Sequence, residues 1–114
     1  KVFPKLKEIS DIAEKSNAIT VLDDAHGDFT VGVDGKGTPN YLNVTKKIDL
    51  YISSLSKGLG SFGGYVSSQK NVIDLCINKS KPFIYTSALP SFLICLLQFH
   101  SMLIFLLWHH TLVL

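Results

Sequence analysis

"LYISSLSKGLGSFGGYV", Leu50 to Val66, is the stretch on which the reading of this chain turns. It opens as a strand, rich in aromatic and β-branched residues, and reaches one lysine, Lys57, where the strand ends. Glycines follow at positions 58, 60, 63 and 64, and then "GGYVSS" reads as another short strand. Taken alone, Lys57 reads as a solvated surface lysine. The glycines beside it allow a second reading, because they let the backbone approach a ligand closely. A lysine in such a crevice can lose its proton through desolvation and act as a Schiff-base nucleophile.

Upstream, "KLKEISDIAEKS" (5–16) places Leu6, Ile9, Ile12 and Ala13 at helical spacing, with charges on the opposite face. "AITVLDD" (18–24) is β-branched, almost continuously apolar, and ends in two carboxylates. Such a run suits a parallel strand buried on both faces. "GDFTVGVDGKGTPNYLNVTKK" (27–47) reads as a long connection with turns, and "IDLYISS" (48–54) as the second strand. "QKNVIDLCINKS" (69–80) reads as a second amphipathic helix. This order implies an α/β domain, part of something larger.

With 114 residues the chain can form one small domain and is shorter than most complete enzymes. It begins at Lys1 with no signal-peptide architecture, which gives the expectation of a cut N-terminus. Net charge is +2, the lysines are scattered and there is no arginine, so the clustered basic face of a nucleic-acid binder is lacking. Two cysteines, Cys76 and Cys95, make no disulfide framework or zinc spacing, which suits a reducing compartment. Every charged side chain lies at or before Lys81. The apolar run "SFLICLLQFHSMLIFLLWHHTLVL" (91–114) is long enough to span a bilayer. His100, His109 and His110 flank or interrupt it, and no basic cluster orients it. A membrane segment, a buried helix of a larger protein and sequence foreign to the fold all remain open for it.

In open α/β sheets ligands collect at the carboxyl ends of strands. One strand end offers Asp23, Asp24 and His26, the other Ser54, Ser56 and Lys57. If the strands are neighbours, both sets face one crevice. The two aspartates could equally cap a turn, or form part of a metal site with His26. "GLGSFG" matches G-x-G-x-x-G, but a strand-like run follows it instead of the phosphate-binding helix. No serine occupies a nucleophile elbow, and the sequons at Asn43 and Asn78 carry no weight without a secretory signal.

"VLDDAHG", "SSLSKGLGSFGGYV" and "KPFIYTSALP", in this order, resemble the α-oxoamine synthase family of pyridoxal-phosphate enzymes. The "DDAHG" run is most similar to the branch serving biotin biosynthesis, the 8-amino-7-oxononanoate synthases. The resemblance implies an α/β fold: part of the large domain of a fold-type I pyridoxal-phosphate enzyme, an aminotransferase-like three-layer sandwich. That fragment would occupy residues 1–90, with 91–114 an apolar tail that does not match the family.

By the resemblance, Lys57 bonds covalently to the aldehyde of pyridoxal 5'-phosphate and can act as base. Asp23 pairs with the pyridine nitrogen, so that the ring accepts electrons from a carbanion. His26 bonds the phenolic oxygen, Ser54 contacts the phosphate, and Thr86 and Ser87 approach the phosphate of a partner subunit. Asp24 takes a supporting structural role. The implied reaction is decarboxylative condensation of an amino acid, L-alanine, with an acyl-CoA, pimeloyl-CoA, by a homodimer. Nucleic acid is not an expected partner, and a membrane only through 91–114. The expected compartment is cytosolic or peroxisomal.

The chain departs from the family pattern in places. Asp28 and Phe29 stand where the family has a small polar residue and a glycine. The upstream segments that grip the cofactor would precede Lys1, and a C-terminal domain with a carboxylate-binding arginine would follow Pro90. The alternative expectation is therefore a truncated, catalytically inactive product, associated with a membrane through its tail.

Overall fold

The computed structural model describes residues 4–87, 90–92 and the backbone of 111–113. Helix α1 (Leu6–Lys15) leads into strand β1 (Val21–Asp23), and a turn-rich connection holds the short helix α2 (Gly37–Tyr41). Strands β2 (Leu50–Ser54) and β3 (Gly64–Ser68) follow, then α3 (Lys70–Lys79), the single turn α4 (Lys81–Ile84) and β4 (Thr111–Val113). The sheet order is β1-β2-β3-β4. β1 runs parallel to β2, with Asp23 opposite Ile52, whereas β2 and β3 form an antiparallel pair with Ser54 opposite Gly64. β4 adds antiparallel to β3 at Tyr65–Ser67.

The expected helices and the first three strands are present, within a few residues at their ends. Burial of β1 differs from expectation: Val21 is 61% exposed, and Ile19 just before it 80%. β1 is the edge of the described sheet, so only one side of it meets a neighbouring strand. Helix α1 is likewise rotated off its apolar stripe. It buries Leu6 and Ser10, leaves Ile9 and Ile12 exposed, and is tied down by Lys47, which reaches Asp11 at 2.7 Å and Glu14 at 2.6 Å.

The 27–47 connection is more ordered than a loop. Gly37, at φ +84°, turns the chain into α2 and donates its amide to the Val31 carbonyl, while the amide of the second helical residue, Thr38, finds its acceptor on Asp24. That partner lies fourteen residues upstream, so local sequence does not announce the helix.

Among the described residues no helix is long and apolar enough to cross a membrane. Most of the 91–114 tail, including Cys95, His100, His109 and His110, lies outside the described residues. The buried set is unusually polar: Asp24, Asp28, Thr38, Ser53 and Ser67 accompany Leu6, Ala25, Val44, Tyr51, Leu55 and Ile73.

Candidate active site

Because β1 and β2 are parallel neighbours, their carboxyl ends open on the same side. The turn after β1 carries His26, and the turn after β2 carries Lys57. Their nitrogens, Nε2 and Nζ, lie 3.2 Å apart although the residues are 31 positions apart in sequence. At that distance the two nitrogens share a hydrogen bond whose direction follows the imidazole tautomer. Both side chains are exposed, so the desolvation of Lys57 raised by the sequence is absent from this arrangement.

Lys57 opens a tight turn in which Gly60, at φ +60°, donates its amide to the Lys57 carbonyl. Ser61 then donates back to Leu55, and Leu55 to Gly63, which hands the chain to β3. At the β2 end, Ser54 Oγ lies 2.7 Å from Ser56 Oγ, a pair of hydroxyls beside the lysine. Asp23 is exposed, and its carboxylate accepts weakly from the Ala25 amide at 3.1 Å. Thr86 and Ser87 follow α4 and are exposed.

Beneath these groups lies a buried network. Asp24 accepts from the Thr38 amide and the Thr38 hydroxyl, each at 2.6 Å, and from the Tyr51 hydroxyl at 2.9 Å. Three donors converging on one carboxylate leave it little capacity for a metal, and among the described residues no group of three or more potential metal ligands occurs. The supporting role expected for Asp24 has this physical form. Thr38 and Tyr51 carry no motif of their own, and only their convergence in space marks them.

Asp28 is also buried. Its carboxylate takes the Tyr65 hydroxyl at 2.5 Å and the Phe29 amide at 3.2 Å. The next residue, Phe29, holds φ +58°, a left-handed conformation that glycine adopts without strain and that fits the glycine the resemblance implies there. Phe29 stacks edge-on against Tyr65 at 6.3 Å. Burial pushes both tyrosine hydroxyls well up, so they remain donors at any ordinary pH.

Burial likewise pushes Asp28 above its ordinary value near 3.8, against the hydrogen bonding of Ser53, Tyr65 and Tyr51, and the charge of Asp24 adds a smaller push upward. The unfolded chain then releases this proton at lower pH than the folded chain does. The stability contribution is whole below the ordinary value and is lost as pH rises through the folded value. The ionisable groups facing Asp28 are Asp24, Tyr51 and Tyr65. Asp28→Asn is therefore expected to flatten the fall of stability with rising pH, as read by urea midpoints across a pH series. An unchanged slope would contradict that assignment.

Gly58 seats the Lys57 turn on the Asp28–Phe29 turn. An added Cβ would lie 2.6 Å from the Asp28 carbonyl oxygen and 2.7 Å from Phe29 Cβ. Gly58→Ala is thus expected to force the two turns apart and destabilise by about 1–3 kcal/mol, measurable by denaturation.

The donor set suits a cofactor carrying an aldehyde, a ring nitrogen and a phosphate. An amine, a carboxylate, an imidazole and two hydroxyls share one rim of the sheet, with glycines leaving room beside them.

The comparisons with known proteins agree. The family model for aminotransferase class I and II matches residues 3–104. The 8-amino-7-oxononanoate synthase of Thermoanaerobacter pseudethanolicus is 41% identical over 86 residues, 75% of this chain and 22% of its own length. That of Treponema denticola is 40% identical over the same extents. Among solved structures, the serine palmitoyltransferase from S. paucimobilis with bound PLP and myriocin superposes with TM-score 0.73 at 28% identity. It matches 78% of this chain and 22% of its own. The 8-amino-7-oxononanoate synthase from Francisella tularensis, at 23% identity, TM-score 0.63 and coverage of 82% and 29%, shares the fold. The chain thus spans about a fifth of the length of the curated relatives it matches. Its fold is part of the large domain of the fold-type I pyridoxal-phosphate enzymes, and the chain belongs to the aminotransferase class I and II family, in its α-oxoamine synthase branch.

Proposed function

We propose that this chain supplies the lysine-bearing wall of a pyridoxal-phosphate acyltransferase that condenses an amino acid with an acyl-CoA, with loss of carbon dioxide. L-alanine and pimeloyl-CoA are the proposed substrates, on the strength of the 8-amino-7-oxononanoate synthases it matches. The observation that carries the reading is the 3.2 Å approach of Lys57 Nζ to His26 Nε2 across two neighbouring strand ends.

Pyridoxal phosphate supplies an aldehyde for an amine to capture and a ring that accepts the electron pair of a carbanion. Lys57 Nζ would hold the cofactor covalently at its aldehyde carbon and, when free as an amine, would take the proton from the amino acid's α-carbon. His26 orients Lys57 and bonds the phenolic oxygen. The Asp23 carboxylate holds the proton of the ring nitrogen. The Ser54 hydroxyl binds phosphate, and Thr86 and Ser87 bind the phosphate of a second subunit in a homodimer.

A second reading is that this chain captures the cofactor without turning over. Its favouring observation is the exposure of both Lys57 and His26, which leaves the pair open to water. Release of CoA thiol from pimeloyl-CoA, dependent on L-alanine and on pyridoxal phosphate, separates the two. Thiol release that disappears in Lys57→Ala supports turnover. Cofactor capture at Lys57 with no thiol release supports the inactive reading.

A further inference from the structure

Asp28 stands apart from the groups assigned above. It is buried, charged in kind, two residues from His26, and it replaces a small polar residue of the family. Its side chain does two things at once. One carboxylate oxygen receives Tyr65 from the middle of the sheet, and the other receives the amide of Phe29, the residue in left-handed conformation. Asp28 and Phe29, through the Asp28 carbonyl and the Phe29 Cα and Cβ, form the floor on which Gly58 rests, immediately after Lys57. Tyr65 also packs its ring against Phe29 and, 6.1 Å away, against Tyr51, the donor to Asp24.

A continuous chain of contacts therefore runs from β3 through Tyr65 and Asp28 to the turn bearing His26, and from that turn to the one bearing Lys57. Without the Asp28–Tyr65 bond, the carboxylate that accepts from the Phe29 amide loses its tie to β3, and the unfavourable conformation of Phe29 is left to that 3.2 Å bond, the Gly35 carbonyl and ring packing. A shift of the Phe29 backbone would move the seat of Gly58, and with it Lys57 relative to His26.

We propose that the Asp28–Tyr65 hydrogen bond is a positioning device that sets the Lys57 turn against His26, and that the selective reactivity of Lys57 toward an aldehyde depends on it. The proposal rests on the reading of Lys57 as the cofactor lysine. Asparagine at position 28 would preserve both contacts, since its oxygen can accept from Phe29 while its amide donates to the Tyr65 oxygen. Leucine would preserve neither.

The test uses the full chain and the variants Tyr65→Phe, Asp28→Leu and Asp28→Asn. Labelling of Lys57 by pyridoxal phosphate and borohydride is scored against the other lysines by peptide mass. In parallel, without cofactor, deuterium exchange is followed at the amides of residues 57–61, with those of α1 as the control for general loosening. In Tyr65→Phe and Asp28→Leu, the turn is expected to exchange about tenfold faster relative to α1, the scale of one lost hydrogen bond, and selectivity for Lys57 to fall with it. Asp28→Asn should match the unaltered chain in both. The proposal is overturned if Tyr65→Phe leaves the turn unchanged relative to α1, or if Asp28→Asn behaves as Asp28→Leu does. Should the unaltered chain show no preference for Lys57, the cofactor reading fails, and the exchange arm by itself decides the role of the pair.

Discussion

Asp24→Ala is expected to destabilise the chain by about 3–5 kcal/mol, the scale of removing one partner from a buried charged network. Three donors lose their acceptor together: the Thr38 amide, the Thr38 hydroxyl and the Tyr51 hydroxyl. Thr38, in the first turn of α2, is 5% exposed and Tyr51 2%, so water reaches neither without local unfolding. Small domains are held by only about 5–15 kcal/mol, so this one change removes a large fraction of the total. A urea titration followed by circular dichroism measures it. Asp24→Asn, which keeps one acceptor oxygen, should lie between the two. If Asp24→Ala unfolds at the same urea concentration as the unaltered chain, the network does not hold the site.

The second large effect is chemical. Lys57→Ala should abolish the absorbance of the covalent cofactor complex outright, while its urea midpoint stays within about 0.5 kcal/mol of the unaltered chain, as surface substitutions usually do. Lys57 is exposed and makes a contact to His26 at 3.2 Å, with no part in the buried network. Loss of the signal together with loss of the fold would mean that Lys57 acts structurally.

How far the sequence carried these conclusions depended on how local the causes were. Strands β2 and β3 were legible because β-branched and aromatic residues alternate up to glycine-rich breaks. Helix α3 was legible because "NVIDLCINK" keeps a helical period. The meeting of His26 and Lys57 followed from strand-end logic once β1 and β2 proved to be parallel neighbours.

The second layer was not legible. Asp24 finds Tyr51 across 27 positions and Asp28 finds Tyr65 across 37, and no spacing rule anticipates either bond. Helix α2 was missed for the same reason, since the Thr38 amide and hydroxyl in its first turn are satisfied from Asp24. The exposure of Val21 and Ile19 was missed because an apolar run reports a preference for burial, while the layers available to the strand decide whether burial occurs. Phe29 is instructive in another way. Its bulk disfavours a left-handed conformation, yet it holds φ +58°, with its amide on the Asp28 carboxylate and its ring against Tyr65.

The central claim is that Lys57 is the amine of a cofactor site built where β1 and β2 end. Its most direct test is to add pyridoxal phosphate to the unaltered chain, reduce with borohydride, and map the adduct by peptide mass. A label concentrated on Lys57 is the expected result. A label spread evenly over the exposed lysines would contradict the claim, leaving a chain with the family's fold and motifs but without its working site.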